Sequence, residues 1–128
     1  MTLQEQYESI CQEFDELKQR FSEIIEFEDF DRLSSYDLMM LQELQQKKGV
    51  LFWKIKCQEI NTKLDAIKKA HPNHDYPAEF YELSARKWEC WDNQLRLEKS
   101  EWEYLRYHKP VISKKLQALR SMQRRCLA

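Results

Sequence analysis

Apolar side chains recur at helical spacing along nearly the whole chain. Leu3, Tyr7, Ile10, Phe14, Leu17, Phe21 and Ile24 are spaced 4, 3, 4, 3, 4 and 3, an unbroken heptad stripe that Cys11 and Ile25 widen to one side. Thr2 followed by Glu5 is a capping-box pattern, in which each side chain satisfies an orphan amide of the first turn. Together these predict a helix over about 3–27. Tyr7, Phe14 and Phe21 share one heptad class, and rings of that size suit the wide core of a three- or four-helix bundle better than a two-stranded coil.

The run EDFDRLSS at 28–35 breaks the pattern, with Ser34 ahead of Asp37, or Ser35 alone, as the next cap. A second helix is predicted over about 36–69. Its stripe is Leu38, Leu41, Leu44 or Gln45, Lys48, Leu51 or Phe52, then Ile55; another register carries Trp53, Cys57, Ile60, Leu64 and Ile67. The offset rotates the apolar face near Phe52 and Trp53, beside Gly49, and predicts a kink or face switch at 49–53.

His71 to Pro77 form the second break, with Asp75 as the expected cap and Pro77 in the first turn of a third helix over about 77–107. That helix carries two stripes. One runs Tyr81, Ser84, Trp88, Trp91, Leu95, Glu98, Trp102, Leu105; the other runs Phe80, Leu83, Lys87, Cys90, Gln94, Leu97, Glu101, Tyr104. Two stripes imply neighbours on two sides, or one neighbour and a face left for a partner. Pro110 is expected to end or kink this helix. Ile112, Leu116, Leu119 and Met122 then make a short fourth helix over about 111–125. The expected fold is all-α: one antiparallel bundle of three long amphipathic helices plus a short C-terminal helix, with coiled-coil-like packing, over residues 1–128.

Composition agrees. A single glycine, Gly49, is far too few for the turns and bulges of a sheet protein. No apolar run exceeds four residues, against about twenty for a membrane span, and MTLQEQYESI lacks the basic start and apolar core of a secretory signal. Cys11, Cys57, Cys90 and Cys126 are scattered, without a CxxC pair, and read as reduced thiols. A cytoplasmic location is the expectation.

Charge is uneven. Residues 1–37 carry −8, residues 38–105 carry zero, and residues 106–128 carry +7 from Arg106, Lys109, Lys114, Lys115, Arg120, Arg124 and Arg125 with no acid. Such a segment can bind phosphates of nucleic acid or acidic lipid, or pack against the acidic first helix within a chain or across a dimer.

Candidate chemistry is sparse. His71, His74 and Asp75 lack a fourth ligand nearby, and loops favour these residue types anyway. Cys90 lies between Trp88 and Trp91 in a helical pattern that implies burial rather than activation. Glu98 and Glu101 interrupt apolar stripes, but no Glu-x-x-His pair accompanies them. One glycine cannot build a phosphate-cradling loop. No catalytic, metal or cofactor site is therefore expected, nor an enzyme. The expected function is protein–protein interaction, as an adaptor or a small regulator or inhibitor. A structural self-associating role, as a homo-oligomer, is one alternative, and nucleic-acid binding through the basic C-terminal segment another. Tryptophan, tyrosine and arginine dominate binding hot spots. The candidate contact residues are therefore Trp53 and Trp91, expected to be exposed, with Tyr104, Lys114, Lys115, Arg120 and Arg124.

Overall fold

The computed structural model describes residues 1–26 and 35–128. The chain is all-α, as the periodicity predicts. Its helices are α1 (Leu3–Glu26), α2 (Ser35–Ala70), α3 (Ala78–Glu98), α4 (Glu101–Glu103) and α5 (Lys109–Leu127), with a π-turn at Tyr104–His108 joining the last two. Among the described residues no helix is long and apolar enough to cross a membrane. Of the expected first break at 28–35, residues 28–34, including Ser34, lie outside the described residues, as do the side chains of Ile24 and Ile25, and Ser35 is already the first residue of α2.

Packing divides the chain into two compact units, Met1–Phe52 and Trp53–Ala128, and the division falls inside α2 at the register change between Phe52 and Trp53. In the first unit α1 opens on the predicted Thr2 cap: Thr2 Oγ1 accepts from the Glu5 amide at 3.1 Å, while the Glu5 carboxylate accepts from the Thr2 hydroxyl at 3.1 Å rather than from a backbone amide. The first half of α2 runs antiparallel to α1. Tyr7 meets Phe52 at 6.5 Å between ring centres, Lys48 sits 5.0 Å over the Phe14 ring, and Arg20 pairs with Asp37 at 3.9 Å. Phe21, Leu44 and Leu51 are buried, whereas Leu3, Tyr7, Ile10, Phe14 and Leu17 are only half-buried.

In the second unit α3 and α5 pack antiparallel, tied by Arg120 to Glu89 at 3.0 Å. Leu95, Tyr104 and Ile112 form the deepest cluster, with Trp88 and Leu116 packed against it. Leu64 of α2 and Leu83, Ala85, Cys90 and Gln94 of α3 are also buried. Gln94 is buried among them although polar, and its amide donates to Glu98 at 2.9 Å.

Three boundaries differ from the sequence expectation. Asp75 does not cap α3: Pro77 holds the N-cap position without a side-chain bond, and Asp75 lies 3.8 Å from His71 instead. The third helix ends at Glu98, not at 107. Lys99 and Ser100 are extended, and the Ser100 side chain accepts the Glu103 amide at 3.2 Å, starting a new helix. The fourth helix is correspondingly long. Pro110 does not stop it, because helical residues continue without interruption from Glu101 to Leu127. A proline in a continuing helix cannot bond the carbonyl four residues back and its ring presses on that carbonyl. The preceding π-turn, in which the Lys109 amide reaches the Tyr104 carbonyl, widens the helix where that conflict falls.

Candidate partner-binding surface

The sequence WEYLRYHKP at 102–110 is built around one inward residue. Tyr104, the first residue of the π-turn, is buried, and its hydroxyl donates to Asp92 of α3 and accepts from Arg96 Nε at 3.0 Å. Arg96 Nε also lies 3.1 Å from Asp92. Burial first, then the bond to Asp92, raises the Tyr104 phenol above its ordinary pKa, and the bond to Tyr104 and the charge of Asp92 raise that of Arg96. With Tyr104 fixed inward, its neighbours are placed outward.

In an α-helix, residues five apart point roughly 140° away from each other at 3.6 residues per turn. The π-turn overrides this. Trp102 and Tyr107 meet edge to face at 5.7 Å, and the Arg106 guanidinium lies 5.4 Å over Trp102 and 5.7 Å over Tyr107. Trp102 is 61% exposed, Tyr107 56% and Val111 57%, and Leu105 is exposed as well. The same local device thus lets the helix pass Pro110 and brings two aromatics and an arginine together on the surface. π-turns occur disproportionately at functional sites, and Trp, Tyr and Arg are the residues that carry most binding energy at interfaces.

The residues singled out from sequence divide among several settings. Trp91 is exposed and lines a groove of about 270 Å³ with Cys57, Lys87 and Trp88. Trp53 is half-buried rather than exposed. Tyr104 is 6% exposed and its hydroxyl is occupied, so it supports the surface from beneath instead of forming part of it. Lys115 lies 5.8 Å over the Trp88 ring and Arg120 is held by Glu89, so both bases serve the α3–α5 contact. Lys114 and Arg124 are exposed. Trp102, Arg106, Tyr107 and Val111 were not among the sequence candidates. Their signal was Ser100-x-x-Glu103, a second capping box that restarts the helix and resets which aromatics face inward.

Cys90 is buried, and desolvation followed by the nearby Cys57 pushes its thiol pKa up, the opposite of nucleophile activation. His74 Nδ1 is 2.7 Å from the Tyr76 hydroxyl, and Tyr76 stacks on Phe80 at 3.9 Å, so this loop is occupied with its own packing. Among the described residues no group of three or more His, Cys, Asp or Glu is placed to hold a metal ion. Glu98 is exposed at the stripe's edge and accepts from Gln94. No family model matches the chain, and no curated protein or solved structure matches it either.

Proposed function

We propose that this protein is a non-enzymatic protein–protein interaction module, an adaptor or a small regulator or inhibitor, and that it engages its partner through the outward face of the π-turn. The observation that carries this reading is the exposed Trp102–Arg106–Tyr107 cluster with Val111 and Leu105 beside it. A surface helix with one buried stripe normally shows polar residues on its far side. Here the far side carries large apolar groups that gain nothing from water. Hot spots of this composition are typically ringed by polar contacts that exclude solvent, and Glu101, Glu103 and Lys109 stand around the cluster.

The test is site-specific photocrosslinking in native extract with the full chain. A benzophenone amino acid at Tyr107 should give a discrete adduct with another protein, and the same group at exposed Thr62 should not. Equal labelling from both positions, or none at Tyr107, counts against the reading. An adduct of two copies of the chain would favour self-association instead.

A further inference from the structure

Resting on that reading, a narrower statement about the partner follows from the pattern of residues 102–125. We propose that this face seats an acidic amphipathic helix of a partner protein. Tyr104, Ile112 and Leu116 point into the second unit. On the other side, Tyr107, Val111, Lys114, Ala118, Met122 and Arg125 are spaced 4, 3, 4, 4 and 3, and every one is exposed. Trp102 joins this row through the π-turn. The stripe is therefore a second helical face, alternating apolar and cationic groups, and it is about 35 Å long at ~1.5 Å per residue. A helix laid alongside meets it with anchors every three or four residues.

Charge selects the occupant. Residues 106–128 contain seven bases and no acid. Lys114 and Arg125 lie in the stripe itself, and Arg106 covers the aromatic pair. A basic partner is repelled along the whole length, and a neutral apolar one leaves these cations without counter-charge. A helix with carboxylates between its anchors satisfies both sets.

The same surface discriminates against a continuous polyanion. Exposed Glu101 and Glu103 stand at the Trp102 end, and Glu89 already neutralises Arg120 at 3.0 Å. A nucleic-acid strand or an anionic bilayer presents negative charge to these acids as well as to the bases. A discrete helix can leave that end uncharged, and it also covers Val111 and Met122, which a phosphate backbone does not.

The experiment titrates the full-length ¹⁵N-labelled chain with a synthetic amphipathic peptide of about twenty residues, built of Leu, Ala and Glu. A matched peptide with Lys for every Glu, phosphatidylserine vesicles and poly(U) RNA are titrated in parallel. The acidic peptide should bind and shift the amides of 102–125, and binding should weaken as salt is raised. Val111→Asp, an exposed position whose effect on folding is checked by circular dichroism, and Trp102→Ala should each weaken it by about tenfold or more. Three results overturn the proposal: no binding at millimolar peptide, equal binding of the lysine peptide, or tighter binding of vesicles or RNA. If any of these occurs while Tyr107 still crosslinks to a discrete protein, the partner-binding reading survives and only the acidic-helix chemistry falls.

Discussion

The two units are made from similar amounts of aromatic and aliphatic residue, yet they bury them to different depths. In Trp53–Ala128, Leu95 and Ile112 are each 3% exposed and Tyr104 is locked by Asp92 and Arg96. In Met1–Phe52, five of the stripe residues of α1 remain half-buried, and an open groove of about 450 Å³ runs beside Leu17 and Leu44. The difference is geometric. A stripe of rings needs neighbours on more than one side, and the second unit supplies three helical segments where the described part of the first supplies two. Heptad spacing specifies which residues want burial; the number of helices that come together decides how much burial they get.

The sharpest way to break this comparison is to cut matched cavities. Leu95→Ala should lower unfolding free energy by about 2–5 kcal/mol, the range for well-packed core leucines. Leu44→Ala should cost less, near the lower end of that range at about 2 kcal/mol, because the open groove beside it lets the site relax. Denaturant titrations of both variants check it. Equal losses would mean that the first unit is as tightly packed as the second. Hydrogen exchange sharpens the same point: amides of α3 and α5 should outlast those of α1.

A smaller effect separates the polar ties. Tyr104→Phe leaves Asp92 and Arg96 without their shared hydroxyl and should cost about 1–3 kcal/mol. Tyr7, whose phenol pKa is raised chiefly by a hydrogen bond with Cys11 and then by burial, is half-exposed, so Tyr7→Phe should cost less. The pH dependence follows from the sign of the shift. The folded phenol of Tyr104 holds its proton above its ordinary value of 10.0. Its contribution is therefore intact below pH 10 and is lost as pH rises through the folded pKa. Wild type should lose stability on that alkaline limb, and Tyr104→Phe should flatten it.

Much of the fold is legible in the residues. Thr2 announces the start of α1 correctly, whereas the division into two units at Phe52–Trp53 is not legible in the register offset, which implies only a kink or face switch within one bundle. The boundary differences share a physical cause: what a proline or serine does to a helix depends on the turn around it, not on residue type alone. By type Pro110 ends or kinks a helix, but a π-turn carries it through; Ser100, which periodicity alone places inside a helix over 77–107, is a cap. Moving the break from 108–110 to 99–100 reassigns every aromatic between them. Tyr104 turns inward and Trp102 and Tyr107 turn outward, so the candidate surface was illegible until that boundary was placed.

The smallest expected effect compares the two caps. Ser100 and Thr2 each accept an amide at the start of a helix, at 3.2 and 3.1 Å. Replacing such a residue with alanine typically costs about 1 kcal/mol. The local bond is nearly the same, but its consequences should not be. Thr2 sits at the exposed end of α1, where an uncapped first turn can fray without disturbing Phe21 or Leu44, so Thr2→Ala should cost at most a few tenths of a kcal/mol of global stability. Ser100 caps the turn immediately before Tyr104, the residue that carries the Asp92–Arg96 bonds and one side of the Leu95–Ile112 cluster. Fraying there reaches the core, so Ser100→Ala should show the full ~1 kcal/mol and should raise amide exchange across the π-turn. Equal costs for the two variants would mean that Tyr104 is held in place by its side-chain bonds alone, and that the position of the aromatic face does not depend on where the helix restarts.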